Sequence, residues 1–172
     1  DLVSEVDRTV ERAIVEILLE AYPKHGILAE EGGDYQTSST AREEYRWIID
    51  PIDGTSNYLH SNPFHCVSIA LQHEDKITQA VVFDPEHNHL FTASRGSGAF
   101  LNDRRIRVSK RTQLAETLIG TSIPCRDLTD LSAYLNCLKT LVQRGCDIRA
   151  TGSAALNLAY VATGWYDGFF EF

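Results

Sequence analysis

Asp50-Pro51-Ile52-Asp53-Gly54-Thr55 follows the apolar run Trp47-Ile48-Ile49, so two carboxylates three residues apart stand just past the end of a predicted strand. Pro51 fixes one φ and Gly54 permits a tight turn, which gathers both acids and the Ile52 carbonyl at one point. Hard divalent cations take that donor set, oxygen ligands at about 2.0–2.5 Å with a backbone carbonyl often among them. Glu30 and Glu31 likewise end the short apolar run Ile27–Ala29 and are followed by Gly32-Gly33. Three or four carboxylates converging would repel one another unless cations sat between them. Gly54-Thr55-Ser56-Asn57 also reads as the start of a short helix, whose N–H groups suit an anion. Cations beside an anion-binding helix end make a phosphate site.

Singly, each feature also fits a plainer role. Asp50 and Asp53 could close a strand with an Asx turn, and Glu30-Glu31 could be a solvated loop. Ser4-Glu5-Val6-Asp7 fits a helix-start capping pattern, so the local pattern leaves Asp7 open between cap and site residue. Other chemistries find less support. There is no glycine-rich phosphate loop with a lysine. Ser68, Ser94 and Ser153 lack the G-x-S-x-G setting and no histidine completes a triad. His87 and His89 flank a turn and read as surface residues, and the adjacent His65 and Cys66 point to opposite faces of a strand. Cys66, Cys125, Cys137 and Cys146 form no C-x-x-C pair and read as buried thiols in a reducing compartment.

The elements that must position these residues follow from periodicity. Val10, Ala13, Ile14, Ile17, Leu18 and Ala21 share one stripe of a helix predicted over Ser4–Tyr22, which Pro23 and Gly26 end. Asp34 to Glu44 is polar and reads as a mobile loop, and Tyr45 to Ile49 as a strand stopping at Asp50-Pro51. From Cys66 to Ser109, short strands broken by turn residues predict an antiparallel meander. Past Arg111 the pattern alternates: strand Leu118–Ser122, helix Leu128–Arg144, strand Cys146–Arg149, helix Ser153–Ala162. The expected organisation is an α+β metal-binding lobe over 1–110 and the truncated start of an α/β substrate-side lobe over 111–172.

The whole chain has 172 residues, 43% apolar and 23% charged, which excludes a disordered or fibrous protein. Its 24 acidic against 16 basic side chains leave a net charge of −8, which disfavours nucleic acid and anionic lipid as partners. An anionic substrate would then need locally recruited cations. No apolar run is long enough to span a membrane, and the N-terminal Asp-Leu-Val-Ser is unlike a signal peptide, so the cytoplasm is the default. The absence of any Met suggests that the chain starts inside a longer product.

The strings Asp1-Leu-Val-Ser-Glu-Val-Asp7, Ala29-Glu30-Glu31-Gly32, WIIDPIDGTSN over 47–57 and TGSAALN over 151–157 resemble the successive signatures of the inositol monophosphatases, nearest to the bacterial extragenic-suppressor type. The resemblance covers essentially the whole chain. It implies the inositol monophosphatase/sugar phosphatase fold, a layered αβαβα sandwich mixing α+β and α/β parts, with the C-terminal part of the second lobe absent. By the same resemblance Glu30, Asp50 and the Ile52 carbonyl would hold a first Mg²⁺, Asp50 and Asp53 a second, and Glu30 a weaker third. Asp7 and Thr55 would orient and deprotonate the attacking water, with Glu31 in support. Gly54 and Thr55 N–H groups would bind phosphate, while Gly152, Ser153, Ala154 and Glu171 would line the alcohol pocket, with Thr121 at a further substrate-side position. A family Trp-Asp motif completing the second metal site, an upstream helix and a lysine-bearing loop have no counterpart here, so the second ion should bind poorly to these residues alone.

The implied activity is Mg²⁺-dependent, Li⁺-inhibited hydrolysis of a small phosphorylated polyol, myo-inositol 1-phosphate foremost, by a homodimeric enzyme. Two alternatives accompany it. A bisphosphatase acting on fructose 1,6-bisphosphate or a nucleotide 3′-phosphate would need extra cations, for which Arg149 and Arg126 are the only nearby candidates. A regulatory partner of the transcription machinery would use the basic cluster Arg104, Arg105, Arg107, Lys110 and Arg111, which also fits a charge-guarded edge strand.

Overall fold

The computed structural model describes residues 5–35, 44–125 and 127–172. Helix α1 (Glu5–Ala21) leads into strands β1 (Gly26–Ala29), β2 (Gly33–Tyr35) and β3 (Tyr45–Asp53), then the short helix α2 (Thr55–Leu59). The meander follows as β4 (Cys66–His73), β5 (Lys76–Asp84), β6 (His89–Ser94), β7 (Gly98–Leu101) and β8 (Arg104–Arg105). The remainder is β9 (Leu118–Thr121), α3 (Leu131–Gln143), β10 (Asp147–Arg149), α4 (Ala154–Thr163) and β11 (Gly168–Phe170). Among the described residues β2-β1-β3-β4-β5-β6-β7-β8 form one sheet and β10-β9-β11 a second. The first is antiparallel except where β1 runs parallel to β3, and the second is wholly parallel.

The layers follow from which side chains share a face. Ile49 and its cross-strand partner Ile69 pack with Val15 of α1, whereas Cys66, Val82 and Phe91 on the opposite face pack with Leu156, Ala159 and Tyr160 of α4. Leu118 of β9 and Tyr166 join that same cluster, so α4 is sandwiched between the two sheets. Thr121 and Phe170, on the far face of the second sheet, meet Tyr134 of α3 through a 3.5 Å hydroxyl contact and a stacked ring pair. The order α1, sheet, α4, sheet, α3 is the αβαβα sandwich.

Several expectations need correcting. The buried side of α1 carries Asp7, Glu11 and Val15, with Ile14 and Leu18 packed beside them, while Ile17 of the expected stripe is 66% exposed and Ala13 is also exposed. The stripe is rotated because two acids occupy the face turned to the sheet end. Asp34 and Tyr35 belong to β2, a hairpin partner of β1, and not to a loop; residues 36–43 and Ser4 lie outside the described residues. Strand β3 does not stop at Asp50 but continues to Asp53 through a bulge, Asp50 facing Ser68 and Asp53 facing Cys66. Pro51 has no N–H to donate, and the bulge accommodates that gap in the ladder. Strand β11 is an addition, paired parallel with β9. Of the four thiols only Cys66 and Cys146 are buried; Cys137 is partly buried and Cys125, on the segment after β9, is exposed. His89 is half-buried against Phe91 and Trp165, so of this pair His87 alone is a surface residue.

Asp167 secures the second sheet beside β11. It accepts from Leu118 N (2.8 Å) and Arg111 Nη1 (3.0 Å), and its own N–H donates to Leu118 O (2.8 Å). Burial pushes its carboxyl up, but these donors and Ser109 outweigh that and hold it below the ordinary range.

Candidate active site

Parallel pairing of β1 with β3 places Ala29 opposite Ile49, so the next residues, Glu30 just past the end of β1 and Asp50 still within β3, come side by side. Glu30 N donates to Ile49 O at 3.1 Å, fixing that exit. Burial, then the charges of Glu30 and Asp53, push the Asp50 carboxyl up to about 8, and it shares a hydrogen bond with Glu30. The bulge turns the chain so that Ile52 N donates back to Asp50 Oδ1 at 3.1 Å. Gly54 then adopts φ 95°, where a Cβ would lie 2.8 Å from Phe64 O, and α2 begins.

The other predicted residues fall around this point. Asp7, 2% exposed on α1, accepts from the Thr55 hydroxyl at 3.3 Å, and the same hydroxyl faces Ile52 O at 3.1 Å. Glu31 is raised by burial and by its neighbours Glu30, Asp7 and Glu11. Asp53 Oδ2 accepts from Ser153 Oγ (2.6 Å) and Ala155 N (2.7 Å), binding the end of β3 to the start of α4. Ser153 is fully buried, caps α4 by accepting from Leu156 N, and stands behind the cavity wall instead of on it. Thr121 is buried too, its hydroxyl turned to Ser122 O and Tyr134.

A cavity of about 530 Å³ opens over the acids, lined on one side by Glu30, Asp50, Ile52, Asp53, Gly54 and Thr55, and on the other by residues that include Ser122, Cys125, Thr151, Gly152, Ala154 and Glu171. None of the described lining residues is Lys or Arg. Arg149 is exposed outside the lining, and Arg126 lies outside the described residues. Burial pushes the neighbouring Cys66 thiol up to about 12, with the Asp53 charge adding to it, so it is a protonated filler and not a nucleophile.

Two residues were not singled out from sequence. Glu11, 3% exposed, takes the N–H groups of Glu31 and Gly32, each at 2.8 Å. Asn57 donates its amide to Phe64 O (2.6 Å) and Thr151 O (2.7 Å), joining the entry of β4 to the turn before α4. The signal for Glu11 was its spacing, four residues from both Asp7 and Val15 on one helix face.

The donor set is all oxygen, and burial together with the charges of Glu30 and Asp53 disfavours the ionised form of Asp50. Among the described residues no three or more acidic, His or Cys side chains are grouped closely enough to hold a metal ion as they stand. The chemistry of the donors nonetheless fits hard divalent cations, which would relieve the crowding.

The family model of the inositol monophosphatase family matches residues 1–172, and the chain belongs to that family. It is 49% identical over 172 residues to the putative Nus factor SuhB of Neisseria meningitidis serogroup B, covering 100% of this chain and 65% of that protein. It is 46% identical over 171 residues to the inositol-1-monophosphatase of Rhizobium meliloti, covering 99% of this chain and 63% of the relative. The chain therefore spans about two thirds of the length of these relatives. Among solved structures, the extragenic suppressor protein suhB of Bartonella henselae superposes with a TM-score of 0.91 at 46% identity, over 98% of this chain and 65% of that one. The inositol monophosphatase of Anabaena gives 0.87 at 37% identity, over 99% and 66%.

Proposed function

We propose that the protein is a Mg²⁺-dependent phosphate monoester hydrolase whose substrate is a small phosphorylated polyol, myo-inositol 1-phosphate foremost. The observation that carries this reading is the meeting of Glu30, Asp50 and Asp53 at one rim of the cavity, with Asp50 pushed up to about 8 by burial and by the charges of the other two. Glu30, Asp50 and the Ile52 carbonyl would hold a first ion, Asp50 and Asp53 a second, and Glu30 a third. Bound Mg²⁺ supplies a lowered water pKa and charge neutralisation at the attacking and leaving oxygens. The Thr55 hydroxyl, set between Asp7 Oδ1 and Ile52 O, orients the attacking water, and Asp7 receives its proton through Thr55. Glu31 adds a second acceptor on the same side. The Gly54 and Thr55 N–H groups hold the phosphoryl oxygens, while Gly152 and Ala154 border the alcohol and Glu171 accepts its hydroxyls. Homodimeric assembly in the cytoplasm belongs to the same reading.

The cavity lining favours a monophosphate, since no described lining residue offers a cation for a second phosphate. Phosphate release should be fastest from myo-inositol 1-phosphate, slower from fructose 1,6-bisphosphate and a nucleotide 3′-phosphate, and lost with EDTA. Release undiminished by EDTA would sink the metal-dependent mechanism, and faster release from either bisphosphate would reassign the substrate.

A second, compatible reading is partnership with the transcription machinery, supported by the Nus-factor names of the relatives. Arg104, Arg105, Arg107 and Lys110 are exposed on and beyond the edge strand β8, away from the cavity. Arg111 is bound to Asp167 and is better spared. Neutralising the other four should abolish capture of RNA polymerase and leave turnover intact; capture at the original level removes this surface from the reading.

A further inference from the structure

Glutamate is almost never fully buried without partners, yet Glu11 is 3% exposed in a neighbourhood already rich in acids. Its two oxygens each take one backbone N–H, Oε2 from Glu31 and Oε1 from Gly32, both at 2.8 Å, and Tyr35 donates to Oε1 at 3.4 Å. A carboxylate that accepts backbone donors in this way forms strong, directional bonds. The donors belong to the turn between β1 and β2, which carries Glu30 and Glu31. One helical turn further along α1, Val15 packs on Ile27, Ala29 and Ile49, the strand residues whose neighbours are Glu30 and Asp50. One turn back, Asp7 meets Thr55. The fit at the turn is close: a Cβ on Gly32 would lie 2.7 Å from Glu11 Oε1 and 1.8 Å from the Tyr35 hydroxyl.

We infer that Glu11 is a positioning residue: by gripping the Glu31 and Gly32 N–H groups it holds Glu30 beside Asp50, and so sets the affinity of the site for divalent cations. This rests on the hydrolase reading for its link to activity, but not for its link to cation binding. Glu11 touches neither substrate nor reacting atoms. Its effect should therefore fall on cation affinity and not on the rate once the site is filled.

The test is calorimetric titration of the protein with Mg²⁺, alongside the Mg²⁺ dependence of turnover, for wild type, Glu11→Gln and Gly32→Ala. Glu11→Gln keeps the shape but offers an amide hydrogen to one of the two N–H groups. It should weaken Mg²⁺ binding about 10- to 100-fold, the range seen when a support of a metal ligand is lost, with turnover recovering at saturating Mg²⁺. Gly32→Ala pushes aside the Tyr35 ring and crowds Glu11 Oε1 while keeping the carboxylate, should shift affinity in the same direction, and decides the matter if Glu11→Gln fails to fold by circular dichroism. Wild-type Mg²⁺ affinity in either folded variant overturns the inference, as does a rate loss that excess Mg²⁺ does not restore. A wild-type protein that binds Mg²⁺ but hydrolyses no phosphate ester defeats the hydrolase reading alone, and the calorimetry still decides the role of Glu11.

Discussion

Asparagine in place of Asp53 is expected to lower turnover by more than about 100-fold while the protein stays folded, the loss exceeding what removal of a mere support for a metal ligand costs. Asp53 has two separable duties. Its Oδ2 accepts from Ser153 Oγ and Ala155 N, which joins β3 to α4. An asparagine carbonyl can accept both, so that junction survives. The lost negative charge is what a divalent cation would bind, and its removal also lets the Asp50 carboxyl ionise at lower pH, because the Asp53 charge is one cause of its upward shift. Alanine at the same position would orphan two donors as well, a further cost of roughly 2–6 kcal/mol at about 1–3 kcal/mol for each. Phosphate release and thermal melting, measured together, separate the two duties. Wild-type turnover in a folded Asp53→Asn protein would falsify the assignment of Asp53 as a metal ligand.

The second large effect is on stability. Leu156 is completely buried among Cys66, Phe91 and Tyr166, which belong to or flank different sheets. Leu156→Ala removes packing from both at once, at a cost of about 2–5 kcal/mol. For a domain of this size that corresponds to roughly 6–12 °C in melting temperature, taking about 3 kcal/mol and 2–4 °C per kcal/mol. Because the cluster is shared, differential scanning calorimetry should show one transition moving as a whole. Two separated transitions, or an unmoved midpoint, would mean that α4 does not unite the sheets energetically.

How much was legible in the sequence differs between residues for physical reasons. Glu30, Asp50 and Asp53 stood out because they sit in pairs or at short spacing just after apolar runs, beside the turn residues Gly32, Pro51 and Gly54, and parallel pairing of β1 and β3 then brings Glu30 and Asp50 together. The continuation of β3 to Asp53 was hidden because Pro51 reads as a stop, whereas a bulge lets the strand pass it. Strand β11 was hidden because three residues after a helix carry no period of their own; only β9 beside it makes them a strand. The spacing of Glu11 from Asp7 and Val15 puts it on the buried face of α1, but its partners are backbone N–H groups 20 and 21 residues away, which that spacing does not identify. Ser153 was assigned to the substrate side by resemblance, and burial behind Asp53 gives it a supporting place instead.

The Asn57 amide, with Phe64 O at 2.6 Å and Thr151 O at 2.7 Å, leaves almost no slack between segments almost a hundred residues apart. Lengthening the stretch from Leu59 to Pro63 by even one residue would swing a carbonyl out of reach unless the stretch around Ala150 shifted in concert. Natural variation in loop length at these two places should therefore be rare, or should occur in matched pairs.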